Sequence, residues 1–300
     1  SDLSWIVGGY YNKSTNDGLS EEYAPNYQWS NRDDDLEYLQ YSDGETIEKA
    51  LFGELSYKVT EQLNITLGAR FYEYEIKAGS AFVAPFIDGS DNLVGDSLVF
   101  VNDAITRTEV DGDGNLFKIN ASYQFSDDVM GYATVSEGFR LGGTNGIGAC
   151  PEGTSTTTPL SPQKLCAIPS EFAFGPDSTT NYELGFKSTW LNNKFHFNAA
   201  LFNVDWEDAQ VGGAATLNGN LPYTTNAGTA NSKGVEIMSR AMLSDSVTAF
   251  ATYAYAKAEL TSDVPGLFKT LPTTDTAFNE YSGQDGDRLP GAPEQQFSMG

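Results

Sequence analysis

A strict two-residue alternation of apolar and polar side chains constrains the fold of this chain more than any other feature. Between positions 63 and 71, the odd residues are Leu, Ile, Leu, Ala and Phe, whereas the even residues are Asn, Thr, Gly and Arg. Similar alternation occurs in segments 51–60, 117–125, 182–187 and 235–240. Because successive side chains of a β-strand point to opposite sides, each segment predicts a strand with one apolar and one polar face.

Segment 195–206 departs from this pattern. Its large apolar residues occupy odd positions up to Leu201 and even positions from Phe202 to Trp206. A β-bulge near Ala200 and a strand end that leaves the membrane are two interpretations of the switch, and the sequence does not choose between them.

The connections between the predicted strands alternate between short and long. Short turns fall at 61–62, 127–128, 192–193 and 244–246, and long polar segments at 15–45, 78–112, 141–179, 210–227 and 261–291. Compact soluble domains rarely hold several structureless loops longer than about 15 residues. Outer-membrane barrels combine tight periplasmic turns with long external loops. The pattern therefore predicts an all-β, antiparallel transmembrane barrel with about ten strands in this sequence.

The termini and the charge narrow the interpretation. The sequence starts and stops inside apparent strands, and it has neither a signal peptide nor an apolar run of the ~18 residues that a membrane helix needs. We therefore expect part of a larger barrel. With 17 Lys and Arg against 41 Asp and Glu, the net charge of −24 argues against a nucleic-acid partner.

Catalytic and metal-binding motifs are absent from the sequence. The single histidine, His196, leaves no Ser-His-Asp or Cys-His arrangement, and no phosphate-binding glycine loop is present. We predict neither an enzyme nor a resident cofactor or metal. Cys150 and Cys166 lie in one polar segment, so a disulfide that closes a surface loop is predicted, with two free thiols as the alternative.

Two groups of aromatic residues have candidate roles. Tyr23, Tyr27, Trp29, Tyr38 and Tyr41 cluster in one predicted polar loop, where they predict either a ligand platform or local loop packing. A second group lies near predicted strand ends, where aromatic girdles meet the two lipid–water interfaces. Its members are Tyr10, Tyr11, Tyr72, Tyr74, Trp190 and Trp206. Ligand stacking is the alternative for this second group.

Five stretches, in order along the chain, resemble motifs of the TonB-dependent receptor family. They read YATVSEGFRLGGTN at 132–145, NYELGFKS at 181–188, NAALFNVDW at 198–206, NAGTANSKGVE at 226–236 and GDRLPGAP at 286–293. The first of them contains Arg140, Gly142, Gly143 and Asn145, at the point where a strand leaves the membrane. These residues either face the lumen and contact the plug or ligand, or the glycines simply permit a bend.

The resemblance implies more than the periodicity does. Such receptors are barrels of 22 strands around a plug domain, and TonB in the inner membrane energises them to import ferric siderophores or, less often, cobalamin, haem, nickel chelates or oligosaccharides. Residues 1–300 would then be a partial barrel domain without the plug, the TonB box and the C-terminal strand. The implied partners are TonB, outer-membrane lipid with lipopolysaccharide, and a small nutrient such as a ferric siderophore.

Alternation alone fits other classes. A passive porin or a barrel that anchors an adhesin would share it. A soluble carbohydrate-processing or lectin β-protein would also share it, but its apolar stripes would have to pack against a second sheet.

Overall fold

A computed structural model describes residues 2–23, 36–83, 86–87, 93–94, 105–150, 152–158, 166–218, 221–270 and 279–300. Ten strands form one sheet: β1 (Leu3–Tyr23), β2 (Leu36–Lys58), β3 (Leu63–Val83), β6 (Thr106–Ser126), β7 (Val129–Arg140), β10 (Asp177–Trp190), β11 (Phe195–Glu207), β14 (Ala230–Ser244), β15 (Val247–Leu260) and β18 (Gln295–Met299).

The remaining strands are short and form four separate pairs. They are β4 (Phe86–Ile87) with β5 (Leu93–Val94), β8 (Gly143–Thr144) with β9 (Ala173–Phe174), β12 (Gln210–Ala215) with β13 (Pro222–Asn226), and β16 (Val264–Thr270) with β17 (Asn279–Gly283). A 3-10 turn covers Pro169–Glu171. No helix among the described residues is long and apolar enough to cross a membrane.

The large sheet is an antiparallel meander in which each strand pairs with the preceding and the following long strand. The four short connections are tight turns, as predicted; in one of them Leu191, Asn192 and Asn193 all have φ between 56° and 66°. The four short pairs all lie within the long connections at the opposite end of the sheet. The predicted all-β, antiparallel class with ten strands is confirmed.

The predicted loop bounds are wrong at the first two long connections. Segment 15–45 was expected to be a loop, but β1 continues to Tyr23 and β2 begins at Leu36. Likewise, β3 and β6 extend far into segment 78–112. These extensions lie outside the segments in which apolar and polar residues alternate regularly, so hydropathy alone does not reveal them. Strands of 21 to 23 residues exceed the ~9–11 that a tilted span needs.

The register separates two faces of the sheet. One in-register row consists of Trp5, Leu55, Leu67, Ile119, Val135 and Tyr182. The face that carries this row, called the outward face here, holds large apolar side chains such as Leu67 at 49% exposure and Leu184 at 59%. An apolar surface of this extent is stable in lipid but not in water.

The opposite face, called the lumenal face here, is tied together by polar side chains. Ser56 Oγ and Thr66 Oγ1 lie 2.7 Å apart, and Asn120 donates to Thr134 at 2.7 Å. Lys118 Nζ lies 3.0 Å from Glu54 Oε2. A polar interior and an apolar exterior are the distribution expected of an outer-membrane barrel.

The β-bulge interpretation of the parity switch in 195–206 is wrong, whereas a strand end that leaves the membrane stays a prediction. Over described residues 195–207, the register of β11 to β10 and to β14 is unbroken, so the bulge expected near Ala200 is not there. Instead, large apolar residues lie on both faces. Phe202 faces the lumen, where its ring covers Gly234, and Trp206 turns toward Asp177.

One glycine contact fixes the geometry of the lumenal wall. The ring of Tyr132 lies across Gly185 on the neighbouring strand, where a Cβ atom would come within 2.1 Å of it. The Tyr132 hydroxyl donates to Glu183, and Lys187 Nζ lies 5.2 Å from the ring centroid. Glycine is therefore required at position 185 because of the close approach of an aromatic ring, not because of its backbone conformation.

Candidate functional site at the long-loop end

Asp177, the first residue of β10, is the centre of the polar contacts at the long-loop end. Its side chain is 1% exposed and receives hydrogen bonds from the Arg140 guanidinium, including Nε at 2.9 Å. The Trp206 indole N–H donates to it at 2.9 Å, and the Gln210 backbone N–H at 3.0 Å. Three segments of the chain are therefore joined at one carboxylate.

The charge state of this carboxylate follows from its partners. Burial acts to raise the pKa of Asp177, but the hydrogen bonds from Arg140, the Gln210 backbone and Trp206 outweigh burial and hold this pKa below its usual value. Asp177 in turn raises the pKa of Arg140. The Arg140 carbon Cζ lies 4.8 Å from the Trp206 ring centroid, and its side chain is 51% exposed. Because Asp177 neutralises it, Arg140 offers a planar donor rather than a free cation.

Gly142 and Gly143 allow β9 to approach closely. A Cβ on Gly142 would lie 2.7 Å from the Phe174 carbonyl oxygen, and one on Gly143 would lie 2.6 Å from the Phe174 ring. Neither glycine belongs to the positive-φ residues of the described chain. The reason for glycine here is contact with Phe174 rather than a bend in the backbone.

Two asparagines connect the loop after β7 to the β12–β13 hairpin. Asn145 accepts from the Thr224 N–H at 2.8 Å and donates to the Thr224 carbonyl at 2.9 Å. Asn226 makes the equivalent pair with Gly175, at 2.7 and 3.1 Å. Each amide side chain thereby satisfies the backbone of a distant segment as a neighbouring strand would.

A small buried polar core lies next to these asparagines. Cys150 and Cys166 form a disulfide with a Cα–Cα distance of 4.8 Å. Asn218, which is fully buried, donates to Cys150 Sγ at 3.3 Å. Glu171, 5% exposed, accepts from the backbone N–H of Ile168 at 2.9 Å and of Leu217 at 2.7 Å. The disulfide, Asn218 and Glu171 thus give the long connections a buried core of their own.

The four motif residues Arg140, Gly142, Gly143 and Asn145 therefore come together, as part of what we call the loop clamp. The loop clamp consists of those four residues with Asp177, Trp206, Gln210 and Asn226. It fastens the segment 141–176 to the segment 208–229. Of the described residues, no group of three or more His, Cys, Asp and Glu side chains is placed to hold a metal ion.

The structure places the loop aromatics unevenly. Tyr23 is 55% exposed and donates to Glu21 at 3.0 Å. Tyr41 donates to Asp43 at 3.1 Å on the same face as the apolar outward rows. Tyr38 lies in β2, opposite Glu22, and Tyr27 and Trp29 fall outside the described residues. A shared platform of these five residues stays a prediction.

The girdle prediction is wrong for four residues of the second aromatic group. Tyr10 lies in the same row as Tyr72, on the lumenal face, and the Arg70 carbon Cζ is 5.4 Å from its ring centroid. Tyr72 stacks on Phe139 with 3.8 Å between ring centroids, Tyr74 is 4% exposed, and Trp206 belongs to the loop clamp. Strand-end position alone did not distinguish the two faces at these residues. Tyr11 and Trp190 do lie on the outward face, at 64% and 47% exposure.

Sequence reasoning missed Asp177, Gln210, Asn226 and Glu171. Asp177 and Arg140 are 37 residues apart, and Asn226 is 51 residues from Gly175. Asp177 fell within the predicted loop 141–179, and Asn226 was noted only as the first residue of the motif at 226–236. Partners at such separations become visible only when the strands are in register.

Comparison with solved structures shows the same fold. The chain is similar to the ferric yersiniabactin uptake receptor FyuA from Yersinia pestis (TM-score 0.67, 16% identity, 100% of this chain and 36% of that one). It is also similar to the siderophore receptor PiuA from Acinetobacter baumannii (TM-score 0.64, 15% identity, 99% and 40%). For the ferric-catecholate import receptor Fiu from E. coli K12, the TM-score is 0.61 at 16% identity, with 99% and 39% coverage.

The chain thus spans 36% to 40% of the length of these receptors. A family model described as "TonB dependent receptor-like, beta-barrel" matches residues 1–300. Members of this family are outer-membrane transporters, which agrees with the apolar outward face and the polar lumenal face. The chain belongs to the TonB-dependent receptor β-barrel family.

Proposed function

We propose that this chain forms about ten strands of a 22-stranded receptor that imports a ferric siderophore across the outer membrane at the expense of TonB-transmitted energy. The observation that carries the proposal is the family match over residues 1–300, together with a fold shared with three receptors named for siderophore or ferric-siderophore uptake. In this proposal the plug and the TonB box belong to the intact protein.

The loop clamp fits an importer better than a passive pore. In a receptor, the external loops must form a defined surface that recognises one scarce solute. The contacts of Asp177, Asn145 and Asn226 order two long connections against each other, and the Cys150–Cys166 disulfide restrains one of them. Ordered loops lose less conformational entropy when a ligand binds, which increases affinity.

The ligand-contacting residues are proposed from position and chemistry. Arg140 presents a half-exposed guanidinium whose charge is matched by Asp177, so it is suited to hydrogen-bond a polar ligand or the plug. Tyr23, Tyr27, Trp29, Tyr38 and Tyr41 are our candidates for aromatic contact with the ligand. Their planar rings would supply apolar area at low entropic cost.

Uptake by whole cells tests the cargo. Cells with and without the intact receptor should be supplied with a labelled ferric catecholate, a ferric hydroxamate, haem, cobalamin or a copper salt. The copper salt is included because OprC, named a copper transporter, shares the fold at TM-score 0.55 and 14% identity. We expect uptake of a ferric siderophore that stops when a protonophore is added or TonB is deleted. Uptake of another solute alone would change the cargo, and TonB-independent uptake would contradict the proposal.

Abundance and conductance separate the remaining alternatives. An importer of iron should increase in purified outer membranes when iron is withheld. In a planar bilayer, the intact receptor with its plug should conduct little, whereas a passive porin or an empty anchor barrel should conduct ions steadily. Steady conductance, or absence from the outer membrane, would contradict the proposed function.

A further inference from the structure

β6 has a neighbour on both sides along only part of its length. β3 pairs with β6 as far as Thr106, whereas β7 pairs with β6 only up to the rung of Lys118 and Ser136. Residues 107–117 of β6 are therefore paired towards β3, while no strand of the described chain pairs with their other side. This unpaired side is called the open edge here.

An aromatic stack accompanies the departure of β7 from β6. Tyr72, a lumenal side chain of β3, lies over Gly114 of β6, where a Cβ would come within 2.5 Å of the Tyr72 hydroxyl. Phe139 of β7 stacks on the Tyr72 ring, with 3.8 Å between the ring centroids. Phe139 thus reaches across the lumenal face of β6, and β7 does not continue along the open edge.

The backbone groups of the open edge point away from β3. The Phe117 N–H donates to Glu137 Oε2 at 2.8 Å, on the side where β7 would otherwise pair. Because the direction of N–H and C=O alternates along a strand, those of Glu109, Asp111 and Asp113 point the same way as those of Phe117. In the part of the chain that the structure describes, no group accepts a hydrogen bond from these three N–H groups. A row of unpaired backbone groups is a template for an added strand.

The open edge lies where charged side chains replace apolar ones on the outward face. Asp113 stands in the row of Lys49 and Glu73, an ion pair of 2.7 Å with side chains 54% and 61% exposed. The outward side chains of β6 from position 107 to 117 are all exposed. The stretch 107–115 extends about 30 Å at ~3.3 Å per residue, and a partner in water can reach it.

Charge determines what kind of strand fits the open edge. The cations on the outward face beside it already have partners: Lys13 pairs with Glu45, Lys49 with Glu73, Lys77 with Glu75, and Arg107 with Asp43. Lys77 also lies 3.7 Å from Glu109. In the described part of the chain, no ion pair includes Asp111 or Asp113. The uncompensated charge at the open edge is therefore negative.

A groove beside the open edge suits long basic side chains. Its volume is about 410 Å³, and five carboxylates line it, among them Asp111 and Asp113, against one ammonium group, that of Lys49. Tyr11 and Ile47 add apolar surface to the lining. Lys and Arg side chains lay their methylene stems on such surface and keep their charged ends free to meet carboxylates.

We infer that the open edge binds a cationic, extended segment of another polypeptide outside the cell, as an added antiparallel β-strand. Antiparallel pairing continues the sheet and is more stable per residue than parallel pairing. Lys or Arg side chains on the outward side of the added strand would lie beside Glu109, Asp111 and Asp113. A second copy of this chain fits less well, because antiparallel pairing of two open edges brings carboxylates opposite carboxylates. The inference rests on the external position of the long connections in the proposed function, but not on the identity of the cargo.

Synthetic peptides test the inference on the intact receptor in detergent micelles. The probe is a fluorescently labelled peptide of alternating Lys and Thr, about eight residues long, whose binding is followed by fluorescence anisotropy. In an antiparallel strand, the backbone N–H groups of its Lys residues point at the open edge. N-methylation of the Lys backbone nitrogens should therefore weaken binding about tenfold or more, whereas N-methylation at Thr should not. Equal binding of the two methylated peptides would show attraction between charges alone and would overturn the inference.

Matched receptor variants test the role of the carboxylates. Asp111→Asn with Asp113→Asn should weaken binding of the Lys–Thr peptide about fivefold, because two opposite-charge cross-strand pairs are lost. Asp127→Asn with Asp128→Asn makes the same change of charge at a short turn, at the opposite end of the sheet, and should leave the affinity unchanged. Equal affinities in these two double variants would contradict recognition at the open edge.

Hydrogen exchange at residue resolution locates the bound peptide. Without peptide, the amides of Glu109, Asp111 and Asp113 should exchange faster than those of Val110 and Gly112, which point towards β3. The peptide should slow exchange at the first three. Slow exchange at all five without peptide would show that another segment of the chain covers the open edge, and the inference would fail. Receptor dimers that exclude the peptide would place a second copy there and would also refute it.

Cargo uptake separates this test from that of the proposed function. A receptor that imports a ferric siderophore but does not bind the Lys–Thr peptide contradicts the strand-addition site alone. A receptor that binds the peptide at the open edge but imports no ferric siderophore contradicts the proposed cargo alone.

Discussion

Replacement of Asp177 by alanine should release the β12–β13 hairpin from the barrel wall without unfolding the sheet. The carboxylate accepts from the Trp206 indole at 2.9 Å, from the Gln210 N–H at 3.0 Å and from the Arg140 guanidinium. Hydrogen bonds to a charged group contribute about 1.5–3 kcal/mol each. The Arg140 side chain is 51% exposed and regains water, so its share is discounted.

The expected cost of Asp177→Ala is therefore about 2–4 kcal/mol for local opening. Since about 1.4 kcal/mol corresponds to a factor of ten, amide exchange should accelerate by roughly 30-fold to several hundred-fold. Hydrogen–deuterium exchange of the intact receptor in detergent micelles measures this acceleration in peptides that cover residues 141–150 and 208–218. Asp177→Asn, which keeps one acceptor oxygen, should give a smaller acceleration.

A control aspartate and the sheet peptides make the result specific. Asp111→Ala removes an exposed carboxylate of β6 and should leave exchange in these loops unchanged. Peptides from β10 and β11 should keep their protection in every variant. Unchanged exchange at 208–218 in Asp177→Ala would refute the argument that this carboxylate holds the two loops together.

Three further outcomes are expected. Because the pKa of Asp177 lies below its usual value, the stabilisation of the loop clamp is complete above the unfolded pKa of about 3.9 and is lost as the pH falls through the lower folded pKa. Oxidative footprinting of Trp206 should therefore show opening of the loop clamp only below about pH 4. The same pH profile in Asp177→Asn would contradict this expectation. Gly234→Ala should lower the free energy of unfolding, measured in urea from lipid vesicles, by about 1–3 kcal/mol because its Cβ would lie 1.9 Å from a backbone oxygen. Gly212→Ala, whose nearest neighbour is at 3.8 Å, should lower it by under about 1 kcal/mol. Equal losses in the two variants would contradict the geometry. Replacing both Cys150 and Cys166 by serine should lower local stability by about 3 kcal/mol, given a loop of 16 residues. Amide hydrogen exchange at 145–158 should become faster, while exchange at 182–187 should not change. Similar exchange in the wild type and the variant would contradict a role for the disulfide.

The transmembrane sheet was predictable from the sequence because its period is a local property. Each residue of segment 63–71 alternates independently of the rest of the chain, so the outward position of Leu67 and the lumenal position of Arg70 follow from neighbours one residue away. The tight turns were predictable for the same reason. The family-like motifs then indicated which kind of barrel this is, because apolar–polar alternation alone is equally typical of porins.

Only the tertiary structure decided the extent of the strands, the faces of the aromatics and the composition of the loop clamp. The part of β2 that precedes segment 51–60 lacks regular apolar–polar alternation, so no hydropathy signal distinguishes it from a loop. Tyr72 stacks on Phe139, and the Trp206 indole donates to Asp177; both partners are distant in sequence. The sequence by itself determined the two faces of the sheet, since each face follows from a period of two residues. The partners of Asp177 depend instead on the register of three non-adjacent segments, which only the folded sheet specifies.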